Sequence, residues 1–239
     1  LPFALRIANL GAEQAMHQDP HLANGLNVSG GKIRHEADDA ARQNDKPLAM
    51  DVAARLKRLY GVRKDLTWGL ARLAEYEHDI MNADELLRLS ERTLVAPLDP
   101  YARGIVAASA KRVSVVTAVS PGALIDMLFV GTENLRMLRR LATLYGARPG
   151  TLSLLKLARM VLTHIVLTGG IALGDDVIQQ VIGHGLTAKL SARLGEGLFN
   201  GALTTRIGIA AIDVCRPLPY IESQRPRFRE LVAEVAGVR

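Results

Sequence analysis

A short glycine-rich sequence is the place where this chain most resembles a phosphate-binding loop. The sequence contains Gly195-Glu196-Gly197, with Gly201 four residues further on. Closely spaced glycines allow backbone amides to approach a phosphate. A dinucleotide-binding loop follows a strand, whereas the residues before Gly195 have a helical pattern, and the Gly-Lys-Ser/Thr ending of a P-loop is absent from this sequence. Gly197 and Gly201 have the GxxxG spacing that lets two helices pack closely. We therefore interpret this pair as a close helix contact.

The other residues that could do chemistry do not assemble into a reactive site. His164 and His184 lie in apolar sequence without a second ligand at metal-binding spacing. Asp175 and Asp176 follow a glycine directly, which suits the capping of a helix start. Cys215 is the single cysteine, so it can form neither an intrachain disulfide nor a cysteine-based zinc site. The sequence therefore predicts no catalytic, cofactor-binding or metal-binding residues, and we expect the chain not to be an enzyme.

Three charged residues interrupt apolar helical sequence and predict a buried ionic cluster. They are Asp126, Arg206 and Asp213. An isolated buried charge is costly, so Asp126 should have a partner, and Arg206 is our first choice. Asp213 follows Arg206 by about two helical turns and so lies near the same face. Such a cluster can be purely structural.

A band of cations follows the most apolar part of the chain and predicts a basic surface. Glu133 is the one carboxylate that offsets it nearby. Such a surface suits anionic lipid headgroups or an acidic protein partner, and an ordinary solvated helix face is the alternative. The members of the band are Arg136, Arg139, Arg140, Arg148, Lys156 and Arg159.

The composition predicts a helical protein with an excess of positive charge. Of the 239 residues, 49% are hydrophobic but only 4% are aromatic, and the formal net charge is +6. Small aliphatic side chains suit helix packing, and no strand-like alternation persists for more than a few residues. We expect an all-α, multi-helix bundle with a hydrophobic, glycine-rich helical core. Nucleic acid is disfavoured as a partner because the basic residues are not interleaved with aromatic ones.

The chain divides by composition into three parts. Residues 1–46 are interpreted as an N-terminal arm and linker, in which the strongly charged segment 32–44 predicts an exposed helix. Residues 47–98 predict a charged helical subdomain with Trp68 as its packing centre. Residues 99–239 predict a hydrophobic helical core domain.

The apolar run 113–130 is the segment on which the functional interpretation depends most. It has roughly 18 residues, the lower limit for a membrane-crossing helix, so a membrane segment and a buried hairpin are both open. The helix that leads into it should begin with Asp99 as N-cap and Pro100 in the first turn. Pro121 removes a backbone donor and disfavours helix at Ser120. We therefore predict two buried helices that meet at Ser120-Pro121.

Several stretches of the sequence resemble the YcjF family of bacterial inner-membrane proteins. The resemblance covers about residues 50 to 225. Its clearest motifs are VVTAVSP at 115–121, LYGARPGTL at 144–152, LSARLGEG at 190–197 and DVCRPLP at 213–219.

The resemblance implies a setting at the bacterial inner membrane, with two transmembrane helices upstream of Leu1 and this part of the protein in the cytoplasm. It also implies a stress-associated role beside a YcjX-type P-loop nucleotide-binding protein, and it brings no catalytic residues. The expected function is that of a membrane-associated adaptor or regulator of this GTPase or ATPase in an envelope stress response. The alternative is a directly membrane-active protein that senses or remodels the bilayer. A homo-oligomer is compatible with either function.

Overall fold

The computed structural model describes residues 29–77, 79, 82–120, 123–147, 151–167 and 186–236. Every regular element in these ranges is helical, which confirms the all-α prediction. A 3-10 turn precedes α3, and a π-helical turn (Glu91–Val95) and a 3-10 turn (Ala96–Leu98) join α4 to α5. The α-helices are α1 (Ser29–Gln43), α2 (Lys46–Tyr60), α3 (Thr67–Tyr76), α4 (Ala83–Ser90), α5 (Asp99–Val119), α6 (Ala123–Leu144), α7 (Thr151–Leu167), α8 (Leu186–Cys215) and α9 (Phe228–Ala236).

Local capping signals set several of the helix ends. The Asp45 carboxylate accepts a hydrogen bond from the Leu48 amide at 3.0 Å at the start of α2. The Asn82 side chain accepts one from the Glu85 amide at 2.8 Å at the start of α4. Gly146 follows α6 with a φ of +96°, a conformation that costs little only for glycine. The residue types predict Asn82 as a cap and a helix end at Tyr145-Gly146, and the structure confirms both. They also predict Lys46-Pro47 in the first turn of α2, which the structure confirms, but they did not single out Asp45 as its cap.

The centre of the bundle is an antiparallel crossing of α5 and α8. Gly197 faces the Ser114 carbonyl and Gly201 faces the Ser114 hydroxyl, so a Cβ atom on either glycine would lie closer than 3.0 Å to α5. Gly208 contacts Val106 in the same way, one step further along the two helices. The GxxxG pair thus lies where the two backbones approach most closely.

Most of α8 forms the one helical segment in the described part of the chain that is long and apolar enough to cross a membrane. Its segment Arg193–Cys215 has 23 residues and a mean hydropathy of 1.2, which is long and apolar enough for one membrane crossing. Of its most apolar stretch, 44% is buried inside the bundle. Core helices of soluble bundles have the same length and apolar composition.

Helix α1, the first helix that the structure describes, belongs to the hydrophobic core, so the prediction of an exposed helix at 32–44 was wrong. Ile33, Ala37 and Ala40 are all almost fully buried. They recur at the spacing of one helical face, and the charged residues of α1 occupy the other faces. The high overall charge of the segment concealed this apolar face.

The hydrophobic core continues across residue 98, where the sequence suggested a domain boundary. Buried side chains before that position, such as Leu56 and Leu86, belong to the same cluster as Met137 and Leu141 of α6. The division of the chain into three domains at residues 46 and 98 stays a prediction. The described parts of all three segments pack in one hydrophobic core.

The apolar run 113–130 forms two helices, as predicted. Helix α5 ends at Val119, Ser120 is extended with φ −64° and ψ 133°, and α6 begins at Ala123. Pro121 lies outside the described residues. Burial of the run is incomplete, because exposed apolar side chains surround the hairpin: Val115, Val119, Met127 and Leu128 are 55% to 75% exposed.

Trp68 is 71% exposed, so the prediction that it forms a packing centre was wrong. Helix α3 instead turns Gly69 and Leu73 inward. Gly69 packs so tightly against the Thr93 carbonyl that a Cβ would overlap it. This close contact fixes the rotation of α3 and leaves Trp68 on the outer face.

The close contact of Gly197 with α5 predicts that two Gly→Ala substitutions change the free energy of unfolding in opposite directions. Gly197→Ala would push a methyl group into the α5 backbone, so we expect it to lower the free energy of unfolding by about 1–3 kcal/mol. Gly104→Ala in α5 has no neighbour within 4 Å and should raise the free energy by up to about 1 kcal/mol, because alanine favours helix more than glycine does. Urea unfolding of both variants measures this difference. Equal stabilities would contradict close packing at Gly197.

Candidate functional site

The most concentrated group of charges in the structure surrounds Arg216, the residue that follows α8. Its guanidinium binds Asp99 in a bidentate manner, through Nε to Oδ1 at 3.1 Å and Nη2 to Oδ2 at 3.0 Å. Nη2 also donates to Oε1 of Glu91 at 2.8 Å. The side chains of Arg216 and Glu91 are 0% exposed. This is a buried ionic cluster, but its members differ from those that the sequence predicted.

The remaining faces of the guanidinium are covered by the segment that follows it. Nη1 donates to the carbonyls of Leu218 and Pro219, both at 2.6 Å. The ring of Tyr220 stacks on the guanidinium plane at 4.0 Å. Burial by itself lowers the pKa of Arg216, but the hydrogen bonds and negative charge of Asp99 and Glu91 outweigh burial and raise it. The guanidinium therefore stays charged although it is closed off from water.

Glu91 is held by backbone amides of the same C-terminal segment. Its Oε2 accepts from the amides of Ile221 at 3.1 Å and Glu222 at 2.7 Å. Ser223 donates to Oε1 through its hydroxyl. Burial acts to raise the pKa of Glu91, yet the hydrogen bonds from Ser223, the Glu222 amide and Arg216 outweigh it and lower the pKa below its usual 4.5.

Asp99 connects this cluster to α6. The Tyr145 hydroxyl donates to Asp99 Oδ1 at 2.9 Å, and the Tyr60 hydroxyl of α2 in turn reaches the Tyr145 carbonyl at 3.3 Å. Burial and the neighbouring Asp99 carboxylate raise the pKa of Tyr145, so the hydroxyl remains a donor. Asp99 thus makes contacts inside the protein and does not cap α5 as predicted, since α5 continues directly from the preceding 3-10 turn.

The structure does not bring Asp126 and Arg206 together, so the predicted pair was wrong. Asp126 Oδ1 accepts from the Thr117 hydroxyl at 2.5 Å, and Oδ2 accepts from the Asn200 amide at 3.1 Å. The Arg206 guanidinium lies over the Phe228 ring of α9 at 4.9 Å. Two neutral side chains, Thr117 of α5 and Asn200 of α8, therefore satisfy the carboxylate in place of a cation.

Asp213 also lies apart from Asp126. Its backbone carbonyl accepts a hydrogen bond from Nη1 of Arg34 in α1. Its Oδ1 atom is buried without a hydrogen-bond partner among the described residues. Asp213 and Arg206 lie about two helical turns apart on α8, so Asp213 lies beside α1 and Arg206 lies beside α9. Their position near one helix face therefore did not bring them into one cluster.

Sequence reasoning missed Arg216, Glu91 and Asp99 as a set. Arg216 lies at the end of a helix, just before a Pro-Leu-Pro segment, where an arginine ordinarily points to solvent. Glu91 lies in a helical segment rich in other charges. The one available signal in the sequence was Asp99 directly before Pro100, and a carboxylate at that position is equally well explained as a helix N-cap.

The predicted basic surface lies on the outer side of α6 and α7. Arg136, Arg139 and Arg140 of α6 and Lys156 and Arg159 of α7 are all exposed. Arg148 lies outside the described residues.

The carboxylate that was expected to offset this basic surface is turned inward. Glu133 is only 4% exposed and accepts from Arg112 Nε at 2.9 Å and from the Ser109 hydroxyl at 3.0 Å. Its charge is therefore directed at Ser109 and Arg112 of α5 and away from the outer cations.

Exposed leucines lie among these cations. Leu135 of α6 is 37% exposed, and Leu155 and Leu162 of α7 are 64% and 55% exposed. A surface that mixes cations with apolar side chains is typical of helices that lie in a membrane interface. We call this surface the α6–α7 face; it comprises Leu135, Arg136, Arg139, Arg140, Leu155, Lys156, Arg159 and Leu162.

The remaining sequence candidates give no reactive site within the described residues. The side chains of His164, His184, Asp175 and Asp176 lie outside them. No group of three or more histidine, cysteine, aspartate or glutamate side chains in the described part could hold a metal ion.

Comparison with known proteins places these features in a family. The family model described as "Domain of unknown function (DUF697)" matches residues 81–237. A UPF0283 membrane protein of Rhizobium meliloti (strain 1021) is 52% identical over 197 residues, which cover 82% of this chain and 55% of the relative. One from Sinorhizobium medicae (strain WSM419) is 52% identical over 188 residues, 79% of this chain and 52% of the relative.

A third relative extends the comparison to another genus. A UPF0283 membrane protein of Agrobacterium fabrum is 46% identical over 203 residues, 85% of this chain and 56% of the relative. The chain thus spans about half the length of the curated relatives that it matches. No solved structure matches this chain.

Removal of Arg216 should destabilise the fold strongly. Arg216→Met leaves Glu91 and Asp99 buried without their cation, and we expect a loss of about 3–5 kcal/mol in the free energy of unfolding. Arg227→Met is the matched control, because Arg227 is 71% exposed and pairs loosely with Glu230 at 3.7 Å. The control should lose about 1 kcal/mol or less. Similar losses in denaturant unfolding would contradict a structural role for Arg216.

The lowered pKa of Glu91 predicts a specific acid sensitivity. The stability that ionised Glu91 contributes is fully present above its unfolded pKa of about 4.5 and is lost as pH falls through the lower folded value. Glu91→Gln should therefore be much less stable than the unmodified chain near neutral pH, and the difference should narrow below about pH 4.5. Denaturant unfolding across this range, with the exposed Glu234→Gln as control, tests the prediction. A pH-independent difference would refute it.

Proposed function

The chain belongs to the DUF697 family, and we propose that it is a membrane-associated adaptor that holds a P-loop nucleotide-binding protein at a membrane surface. Its relatives in Rhizobium and Sinorhizobium carry the name membrane protein, which supports association with a membrane. The proposal has two parts, a lipid-facing surface and a bound protein partner. Each part has its own support and its own test.

The α6–α7 face is the observation that carries the first part. Its five described cations are exposed, and each basic residue near an anionic membrane surface contributes about 1 kcal/mol to binding. The leucines between them can enter the boundary between headgroups and acyl chains. Because Glu133 is turned toward Arg112, the positive charge of this face is directed outward. We infer that the face rests on the anionic cytoplasmic side of a bacterial inner membrane.

The partner follows from the resemblance to the YcjF family. In that setting the chain would act beside a YcjX-type P-loop GTPase or ATPase during envelope stress. An adaptor works by binding rather than by catalysis. The fully buried cluster around Arg216 agrees with such a role, since its charges are satisfied inside the protein and are out of reach of a substrate.

A direct action on the bilayer is the second candidate function. Exposed apolar side chains at the α5–α6 hairpin, including Val119 and Met127, favour it, as does the length of the apolar segment Arg193–Cys215. A protein of this kind would sense or remodel the membrane by inserting the hairpin. Release of a dye from sealed vesicles separates the two functions, because an adaptor that rests on headgroups leaves the vesicles intact.

Charge reversal on α6 tests the lipid-facing surface. A triple variant replaces Arg136, Arg139 and Arg140 by Glu. It should bind anionic vesicles at least about a hundredfold more weakly, because each lost cation removes about 1 kcal/mol of binding free energy. Flotation at low salt measures the binding. The matched control reverses three exposed cations elsewhere, namely Lys32, Arg58 and Lys64, and should bind nearly as well as the unmodified chain. If both variants bind the vesicles equally weakly, the loss of binding follows from net charge, which would contradict a specific lipid-binding face.

The partner is tested by nucleotide hydrolysis. The YcjX-type protein of the same organism is assayed with and without the full-length membrane protein in anionic vesicles. A change in its hydrolysis rate or its co-flotation supports the adaptor role. If both stay unchanged while the chain itself binds the vesicles, the partner is wrong and the lipid-facing surface stands.

A further inference from the structure

One end of the bundle is covered by exposed apolar side chains. Arg193 of α8 donates to the Ser120 carbonyl at the turn after α5, so the end of α5, the start of α6 and the N-terminal half of α8 lie together there. Exposed apolar patches that are rimmed by polar residues mark contacts with a membrane or a protein. We call this region the hairpin end; its exposed apolar residues are Val115, Val119, Met127, Leu128, Leu194 and Leu198, each 52% to 75% exposed.

Exposed cations begin at a similar distance from the tip of the hairpin on α5 and on α6. Lys111 precedes Val119 by eight residues on α5, and Arg136 follows Met127 by nine residues on α6. At 1.5 Å per residue, both separations are about 12–14 Å along the helix axis. The hairpin end is therefore an apolar zone of about this depth, and both helices of the hairpin become basic at its border.

The border of the apolar zone has an excess of positive charge. Its exposed cations are Lys111, Arg136, Arg139 and Arg140. The nearby carboxylate Glu133 is buried and bound to Arg112, so this pair adds no net charge. Cations beside an apolar zone match the anionic headgroups that lie next to the acyl chains of a membrane, because their long side chains can reach the headgroups.

Two polar groups that would oppose entry into lipid are paired within the protein. The Asp126 carboxylate accepts from the Thr117 hydroxyl at 2.5 Å and from the Asn200 amide at 3.1 Å. The Ser120 carbonyl accepts from Arg193. Lipid offers no hydrogen-bond partners, so a segment that enters it must pair its polar groups internally.

We propose that the hairpin end enters one leaflet of an anionic membrane, so that the bundle stands on the membrane with the cations of α5 and α6 at the headgroups. The depth of the apolar zone is close to half of a hydrocarbon core of about 30 Å, which fits one leaflet and does not cross the bilayer. Arg193 and the exposed Glu196 are charged residues of α8 at this end. They lie three positions apart, at the spacing of an ion pair on a helix, so their charges can cancel on entry.

This orientation rests on the proposed lipid contact and adds to it a depth, a direction and the cation Lys111. It also differs from the second candidate function, in which insertion of the hairpin remodels the bilayer. An apolar zone that matches a single leaflet anchors the domain and leaves the other leaflet untouched. The remaining helices then stay in water, where they are available to a protein partner.

A fluorescent probe at the hairpin end tests the orientation. Met127→Cys in the full chain is labelled with an environment-sensitive dye; Cys215 is 7% exposed and is protected from the reagent. Val62→Cys is the matched control, because Val62 is 83% exposed and the adjacent Arg63 binds the Leu144 carbonyl at the far end of α6. With phosphatidylglycerol vesicles we expect a several-fold rise in emission at position 127, quenched by spin labels on the acyl chains, and no change at position 62.

Charged substitutions test whether the apolar side chains contribute to binding. Met127→Asp combined with Leu128→Asp should bind the vesicles at least about tenfold more weakly, because two side chains no longer leave water for lipid. Val62→Asp should bind as the unmodified chain does. All three positions are exposed, so thermal unfolding of the variants should match that of the unmodified chain.

The results separate this orientation from the proposed lipid contact. If the chain floats with the vesicles while the probe at position 127 stays in water, or if the probes at positions 127 and 62 respond alike, the orientation is wrong and the basic lipid contact stands. If the unlabelled chain does not bind anionic vesicles, both are wrong. A dimer in lipid-free sedimentation that Met127→Asp with Leu128→Asp dissociates would overturn the orientation in favour of a second copy of the chain at this end.

Discussion

A guanidinium that is closed off from water requires a partner for its charge and for each of its donors, and this requirement organises the fold. Arg216 meets it with Glu91, Asp99 and two carbonyls of the chain that follows. These groups come from the π-helical turn, the start of α5 and the C-terminal segment, so the charge fixes all three relative to one another. Tyr145 extends the same constraint to the end of α6. An apolar core alone would allow these helices more freedom in register.

Close backbone contact supplies the second constraint. Because Gly197 and Gly201 lie directly against Ser114, α5 and α8 approach closely. Asn200 of α8 donates to the Thr117 hydroxyl of α5 and to the Asp126 carboxylate of α6. The hairpin is thus fixed by short-range polar contacts and tight packing, while its apolar outer side chains, such as Met127, remain exposed. This end of the bundle therefore has a tightly packed interior and an apolar outer surface.

These constraints separate the interior from the surfaces that are available for binding. The charges of the Arg216 cluster are engaged inside the protein, whereas the described cations of the α6–α7 face are exposed. That face combines basic side chains with the exposed leucines Leu135, Leu155 and Leu162. The aligned residues cover 55% of the Rhizobium meliloti relative, so that relative contains further sequence.

The sequence by itself determined the all-α class, the break of the apolar run after Val119 and the helix ends at Asn82 and Gly146, because periodicity and caps are local signals. It could not identify the partner of a buried charge. Arg216 pairs with residues more than a hundred positions away, and such pairing depends on which helix faces meet. The outward position of Trp68 has the same origin, since tight packing of a neighbouring glycine sets the rotation of α3. Only the tertiary structure decides which side chains are enclosed together, because enclosure is a property of packed helices and not of any single one.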